Sequence, residues 1–561
     1  MRKPIYWAAS LLVALSCSVT PLPEDPAGTD TPQEQTDPET PVTPAPKSLI
    51  INAWVDGVET PASGTLAGVS LQPVIGLGFS REIKADEASL SAVTFSGGEM
   101  SARMDPANAT VLLLTPVSAL QPFTDYTLSV AEGECFGVNL KKAFSLTFTT
   151  GADTGDKFPR ISDEELLDLV QEKTFAYFWD YAHGISGLAR ERYGSGDTVT
   201  SGGSGFGIMC IPVAIERGFI TREEGAERMR LIIDFLTNKA QRFHGAFSHW
   251  LNGSTGEAIA FSTNDNGADL VETAFLMEGL LTAAMYFNTD SEADIRSGID
   301  ALWRAVEWDW FTQGGQNVLY WHWSPDKGWA MNMPIRGWNE GLIVYVLGAS
   351  SPTHPISKQV YTSGWAGSMS ASLPVNGPMF FAHYSFLGLD PRGLKDAYAD
   401  YWSHNVAHAR YNYDYCVQNP GRHAGYSADC WGLTASDYPG GYTASAPSHD
   451  TGTIAPTAAL ASMPYLPEES LAALHTFYYI YGDKLFGKYG FRDAFNLDQS
   501  WFATSYIAID QGPIVVMIEN FRTSLLWDCF MQHPDVLAGL SALGFTHPRN
   551  PSKLFSAPRG A

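Results

Sequence analysis

Asp265, Asp269 and Glu272 crowd the stretch NDNGADLVETAFLMEGLL (264–281), at the head of an otherwise apolar segment. Further acids stand in similar settings: Glu340 in GWNEG, Asp450 beside His449 in SHDTG, and Asp510 in IDQGP, with Glu519 two helical turns further on. Aromatic and polar residues accompany them: Trp250, His322, Trp323, Arg336, Trp338, Asn339, His383, Tyr384, Gln511 and Arg522. Two carboxyl groups of different pKa suit hydrolysis of a glycosidic bond. One protonates the leaving oxygen, and the other activates water or attacks the anomeric carbon. The acid needs a raised pKa, which burial supplies. Glu272, Glu340, Asp510 and Asp269 are the catalytic candidates. The remaining residues named here, Asp265 among them, are candidate substrate contacts.

Each residue also has a plainer reading. Asp269 and Glu272 have the i, i+3 spacing of a capping box, and acids favour a helix N-terminus. Glu272 lies one turn in, with no other charge until Glu278, and a lone carboxylate entering a buried helix is costly unless used or paired. Asp510 precedes Gly512-Pro513, where a loop-bracing role is equally natural. Glu519 stands three residues before Arg522, a spacing that suits an ion pair. His383 reads most simply as a satisfied structural histidine. No His/Asp cluster has metal-ligand spacing in the sequence, so no metal or other cofactor is expected. SGGSGFG lacks the Lys and the strand context of a phosphate-binding loop.

The elements that must position these residues are helical. From about residue 158 two styles of helix alternate. One is amphipathic and well capped, as in ISDEELLDLVQEKTFAYFWDYA and TREEGAERMRLIIDFLTNKA, each opened by a capping box. The other is apolar or small on all sides, which marks a buried helix. Six such segments begin in Gly-rich, polar or aromatic loops: TSGGSGFGIMCIPVAIE, NDNGADLVETAFLMEGLL, IRGWNEGLIVYVLGA, PVNGPMFFAHYSFLGL, SHDTGTIAPTAALASM and DQGPIVVMIENFRTSLLW. Six buried helices alternating with amphipathic ones imply an (α/α)6 barrel. Its inner helix starts converge on one mouth. An irregular α-solenoid is the alternative, but no repeat of 20–50 residues is present. The weak point is PISKQVYTSGWAGS, a short segment that must serve as an outer helix.

Before the helices, residues 48–151 carry short alternating runs such as SLIINAWV, ATVLLLTP and AFSLTFTT, separated by turn residues. This pattern predicts a small all-β sandwich. Residues 18–47 are Pro, Thr and acidic residues and read as an extended, disordered linker. Residues 1–17, MRKPIYWAASLLVALSC, combine a basic start, a short apolar run and Ala14-Leu15-Ser16-Cys17. They read as a signal peptide ending in a lipidated Cys17. The expected location is therefore that of an exported bacterial lipoprotein, in the periplasm, outer membrane or cell surface, with a lipid anchor as its only membrane contact. Five further cysteines (135, 210, 416, 430 and 529) show no CxxC spacing; a Cys416–Cys430 bridge is the one pairing to consider.

The chain has 561 residues, of which 45% are hydrophobic, enough for two or more packed domains. The formal net charge of -25 excludes nucleic acid as a partner and favours a neutral substrate. Sixteen Trp and 24 Tyr lean toward sugar stacking, although a large aromatic core accounts for them equally well.

The stretches FSHWLNGSTGEAIAFSTNDNGADLVETAFLMEGLL, IRGWNEGLIVYVLGASSPTHP and YIAIDQGPIVVMIENFRTSLLW resemble the glucoamylase-like domain of exported bacterial proteins, glycoside hydrolase family 144. The resemblance covers residues 156–545, within a domain taken to span 156–561. It implies an (α/α)6 barrel and metal-free cleavage of β-1,2-glucan to sophoro-oligosaccharides with inversion. The name glucoamylase would instead imply an α-linked substrate and an exo mode. By position, the family's important acids fall on Asp265, Asp269, Glu272, Glu340 and Asp510. Glu272 is the preferred general acid, with Asp510 or Glu340 as base. The segment 48–151 resembles bacterial Ig-like domains, through PVIGLGFSREI, LLLTPVSALQPFTDYTLSV and FSLTFTT. The leading expectation is a monomeric endo-β-1,2-glucanase with a glucan or oligosaccharide substrate. The alternatives are an exo-acting glucosidase on the same barrel, a polysaccharide lyase, and a non-catalytic glycan-binding lipoprotein. A lyase would need basic groups to neutralise a uronate, which the acid-rich set does not offer.

Overall fold

The structure is a computed structural model that describes residues 45–60, 65–84, 88–368 and 373–547. The proposed signal peptide, Cys17 and nearly all of the linker lie outside the described residues. From Lys47 onward the chain is one compact unit.

Residues 47–150 form β-sheets that enclose a core of their own, including Val55, Leu77, Leu112, Leu128 and Phe148. Strands Val58–Glu59, Ile50–Val55, Ile75–Phe79, Asn108–Pro116 and Met100–Asp105 pair in that order in one antiparallel sheet. Leu66–Val69, Phe144–Thr150, Asp125–Val130 and Val93–Phe95 make another, its first pair parallel. Every strand expected from the alternating runs is present. Leu66–Val69 lacks a clear two-residue apolar period; Met100–Asp105 has one, in Met100, Ala102 and Met104, and its strand is not among those expected.

Helices then alternate as outer and inner segments. The outer set begins with α1 (Asp163–Trp179) and the inner set with α2 (Ser201–Glu216). They continue with α3 (Arg222–Asn238), α4 (Leu270–Tyr286), α5 (Ala293–Arg304) and α6 (Leu342–Ser350). The outer α1 and α3 open with complete capping boxes, Ser162/Glu165 and Thr221/Glu224. Inner α2 and α4 are buried almost throughout. Their small residues have a physical purpose. A Cβ on Gly279 would sit 2.1 Å from the Gly205 carbonyl, so the two helices meet backbone to backbone.

Beyond α6 the regular alternation loosens. The expected outer helix at 355–368 is only α7 (Lys358–Val360), continued by π-helical and 3-10 turns to Ser368. The fourth inner segment, expected as a full helix, is two 3-10 turns, Met379–Ala382 and Tyr384–Phe386. Pro374, Pro378 and Gly377 interrupt the hydrogen-bonding ladder there. Next come α8 (Tyr401–Gln418), α9 (Pro456–Leu460), α10 (Pro467–His475) and α11 (Gly482–Leu485). The chain closes with α12 (Ala508–Arg522), α13 (Leu525–Phe530) and α14 (Pro534–Leu543). Inner α12 packs on α2 and α9, and α4 on α2 and α6, which gives the inner wall its continuity. Cys416 and Cys430 are buried free thiols, so the considered bridge is not formed.

Candidate active site

Five of the six inner starts converge on the cavity, and the fifth, SHDTGTIAPTAALASM, contributes no residue to its lining. A cavity of about 420 Å³ at the barrel mouth is lined by Glu272 and Glu340, by the platforms Trp250, Phe261, Trp321, Phe380 and Tyr384, and by Thr200, Arg192 and Tyr442. The platforms come from different loops. Parallel barrel geometry, rather than sequence proximity, gathers them.

Glu272 sits in the first turn of α4 and crosses to the start of α2. Its Oε2 accepts the Gly202 N–H at 2.8 Å and the Thr200 hydroxyl at 3.4 Å. The Gly202 amide belongs to the first turn of α2, where N–H groups have no intrahelical partner, so a carboxylate there satisfies an orphan donor. The approach requires glycine, since a Cβ on Gly202 would lie 2.6 Å from Oε2. Burial raises the Glu272 pKa, partly countered by the His249 imidazole 3.9 Å from Oε1 and reinforced by the Asp269 charge.

Asp269 is both cap and hub. Its Oδ1 accepts the N–H groups of Val271 and Glu272 at 3.0 and 2.9 Å, capping α4. Its Oδ2 faces His249 Nδ1 and His322 Nε2, each at 3.3 Å. His322 Nε2 also lies 3.2 Å from Asp265. Against the cost of burial, the two carboxylates push His322 up to about 10, and Glu272 and Asp269 push His249 up to about 9. Despite its burial, these two rings hold Asp269 well below the usual carboxylate range. His249, Asp265 and Asp269 present ligand atoms within 4.8 Å of one another, a cluster that no sequence spacing announces. With His249 and His322 protonated, two imidazolium charges balance two carboxylates. A metal ion would have to displace those protons.

Glu340, just before α6, faces the same cavity. Burial pushes it up to about 7, and the neighbouring charges of Glu272 and Asp269 add to the rise. Asp510 stands behind the wall. Its Oδ1 accepts the Tyr384 hydroxyl at 3.4 Å, and its buried Oδ2 and Asp493 Oδ1 have no other partner. Burial and the neighbouring Asp493 raise Asp510 far above the carboxylate range, and burial lifts Asp493 to about 7. Asp493 also accepts the Asp437 N–H at 2.6 Å, and the Asp437 carboxylate pairs with Arg192 at 3.1 Å. This chain ties the hairpin Ala435–Tyr438/Gly441–Ala444, which carries Tyr442, to the cavity rim.

Other sequence candidates lie elsewhere. Glu519 pairs with Arg217 at 2.8 Å, not with Arg522, and Arg522 binds Asp168 and Glu164. Both sit at the far end of α12, where the helix turns one face to α1. His383 is a neutral structural residue, bonded to Ser462 at 3.0 Å and depressed by burial to about 3. Trp338 packs in the core against His404 and Tyr401, Asn339 caps Gly341, and Arg336 reaches the Ser363 carbonyl. Gln511 donates to the Phe491 carbonyl. Asp450 braces Tyr415, Tyr426 and the Gly452 N–H, and His449 is exposed beside Thr443. Trp323 faces away from the cavity, toward His244 and Trp310. Residues the sequence reading passed over include Thr200, Gly202, Arg192, Asp437, Asp493 and Tyr442. His249 was within reach, in the FSHW of the first quoted stretch.

The Glycoamylase family model, described as "Putative glucoamylase", matches residues 332–534. An endo-β-1,2-glucanase from Chitinophaga pinensis, solved with sophorotriose and glucose, is 49% identical. It aligns with a TM-score of 0.68 over 69% of this chain and 100% of its own. A β-1,2-glucanase structure from Parabacteroides distasonis is 38% identical with a TM-score of 0.67, covering 86% of this chain and 74% of that one. A curated relative from the same species, an exo β-1,2-glucooligosaccharide sophorohydrolase (non-reducing end), is 47% identical over 420 residues, 68% of this chain. That match spans 58% of the relative's length. The fold is that of the α/α-toroid glucanases, and the chain belongs to the glucoamylase-like family of glycoside hydrolases, family 144.

Proposed function

We propose that this protein is a glycoside hydrolase that cleaves β-1,2-glucan in endo fashion, releasing sophoro-oligosaccharides by inversion. The observation that carries the reading is the pair of carboxyls in one aromatic-lined cavity, Glu340 raised to about 7 and Glu272 held by an amide and an imidazolium. Two relatives named as β-1,2-glucanases support the linkage.

We assign Glu340 as acid and Glu272 as base, the reverse of the roles preferred from the sequence, because their surroundings differ. Glu340, protonated up to near-neutral pH, donates its proton to the glycosidic oxygen. Glu272 is committed to accepting hydrogen bonds, so it acts as the base that takes a proton from water attacking the far face of the sugar. Asp269, with His249 and His322, fixes the start of α4 and hence Glu272. Asp510 is kept protonated by Asp493 and holds the Tyr384 hydroxyl. Trp250, Trp321 and Tyr384 offer stacking faces for glucosyl rings. Asp265 and His322 brace the floor.

An aryl β-glycoside of the same oligosaccharide separates the roles, because a good leaving group needs no proton. Glu340→Gln recovers most of its turnover on that substrate, and Glu272→Gln does not; the opposite pattern restores the first assignment. Product sizes from linear β-1,2-glucan test the endo mode. The curated exo relative supports the alternative, release of sophorose from chain ends, which would appear as one disaccharide from the earliest time points. A product set from α-1,4-glucan or a polyuronate instead would sink the linkage. We further propose that the chain is exported and lipid-anchored at Cys17, with residues 48–151 an Ig-like spacer. Palmitate labelling that survives Cys17→Ala would remove the anchor.

A further inference from the structure

We propose that the recess beside Trp310, outside the acid-lined cavity, is a second carbohydrate-binding site that holds a distal stretch of the same glucan chain. The inference rests on the glucan-hydrolase reading given above. The recess measures about 600 Å³ and is bounded by Glu307, Asp309, Trp310, Gln313, Trp329 and His354.

Three observations favour a neutral sugar. First, Trp310 is a flat platform in the open. It is 40% exposed, and one face stacks on the His244 ring at 3.8 Å and 14°, which leaves the opposite face uncovered by that contact. Trp329 stands 6.4 Å away at 33°, itself held edge-on by Phe311 at 89°. Large apolar rings exposed in a concave setting mark binding surfaces. Second, the polar groups at the rim are acceptors suited to hydroxyl donors. Glu307 and Asp309 hold His244 and His354 at 2.8 and 3.2 Å, and each keeps accepting capacity on a second oxygen. Gln313 Oε1 is buried and has no hydrogen-bond partner. These acids disfavour phosphates, uronates and nucleic acid. Third, the wall is preformed. Gln313, Gly314 and Gly315 take left-handed φ values of 52°, 84° and 87° in succession, a turn fixed by the Thr312 hydroxyl bonded to the Gly315 N–H.

Position connects the two sites. Outer helix α5 ends toward the same face on which inner α4 begins, and the recess follows directly after α5 in the chain. Trp323, turned away from the cavity, packs on the recess side, its ring 5.1 Å from His244 and 6.4 Å from Trp310. The residue before it, His322, holds Asp265 and Asp269. Adjacent residues of the short strand His322–Trp323 thus touch the acid cluster on one side and the aromatic rings of the recess on the other.

Trp310→Ala and Trp310→Phe are compared with wild type in three assays. The first is retention in gels cast with linear β-1,2-glucan, against gels with a polyuronate. The second is KM on the polymer. The third is kcat/KM on a β-1,2-linked tetrasaccharide, a short substrate whose turnover reads the cavity. The expected result for Trp310→Ala is at least a fivefold loss of retention and a comparable rise in polymer KM. Tetrasaccharide turnover stays within twofold, and Trp310→Phe keeps most of the retention. Wild-type cleavage of the glucan with retention and KM unchanged in Trp310→Ala overturns the second site alone. A parallel loss on the tetrasaccharide also overturns it, since Trp310 would then support the cavity. A wild type that neither binds nor cleaves the glucan fails the functional reading first, and the second site with it.

Discussion

In the proposed assignment Glu340 is the general acid, and its environment sets a pH signature. Burial lifts its carboxyl to about 7. The protonated form is therefore the working one, and activity falls as pH rises through about 7. Glu272 must be ionised, so activity also falls on the acid side. Glu340→Gln should lower kcat on glucan by roughly 10²–10⁴-fold and erase the alkaline limb of any residual profile. The same substitution should stabilise the fold at pH 8. A carboxyl whose folded pKa is raised favours the folded state below its ordinary value of about 4.5 and penalises it increasingly up to about 7. A neutral amide escapes that penalty, which is on the order of 3 kcal/mol. Thermal melts at pH 5 and pH 8 check this: the gain must be several times larger at pH 8 than at pH 5. The sequence marked Glu340 as a carboxylate after Trp338 and Asn339, but not its pKa. Neither of those neighbours reaches the cavity. What raises Glu340 is first its burial in the barrel mouth, and then the charges of Glu272 and Asp269, about 70 residues earlier in the chain.

At the scale of elements, the starts of α2 and α4 act as one unit, and a glycine joins them. Gly202→Ala places a methyl 2.6 Å from Glu272 Oε2, so either the carboxylate or the helix start must move. The expected outcome is a fall of about 10²-fold in kcat/KM on glucan with a modest loss of stability. Equal activity would mean that Glu272 does not need the α2 amide. The start of α4 depends in turn on charge balance. His322→Ala leaves Asp265 and Asp269 buried with His249 as their remaining imidazolium, at a cost of about 3–5 kcal/mol. The pH dependence has a definite sign. The two histidines, raised to about 9 and 10, stabilise fully below their ordinary value of about 6.5, and that contribution is lost as pH rises toward 10. Asp269, depressed, stabilises above its ordinary value of about 3.9, and that contribution is lost as pH falls below it. Denaturant midpoints should therefore peak between about pH 4 and 6.5, with a shallower alkaline decline in His322→Ala. This unit was half legible. The capping spacing of Asp269 and Glu272 and the unexplained charge on a buried helix were visible. The histidines arrive on other loops, and the glycine reads as packing until the helices are placed. The fourth inner segment misled for a simpler reason. Its apolar run suits burial equally well as 3-10 turns, and periodicity cannot separate the two.

At the scale of the molecule, the β-sheet domain and the barrel meet through a narrow junction centred on Phe123. Its backbone is left-handed at φ 51°, a conformation unusual for an aromatic residue, and its N–H donates to the Gly151 carbonyl. That geometry points the ring at the barrel, where it meets Phe502 edge-on at 5.3 Å, with the Lys484 ammonium 5.6 Å from its centroid. Each side has a separate hydrophobic core, so neither depends on the other for burial. Contacts that couple them include this ring, Ala152 against the barrel core, the approach of Gly68 to Ala424, and the Lys157 N–H bonded to the Tyr479 carbonyl. Removing the ring should therefore uncouple the two parts without unfolding either. Phe123→Ala is expected to split one calorimetric transition into two, with the barrel transition within a few degrees of its original position and oligosaccharide turnover intact. A single transition shifted as a whole would show that the junction is broader than one aromatic contact, and loss of turnover would tie the β-sheet domain to the shape of the cavity.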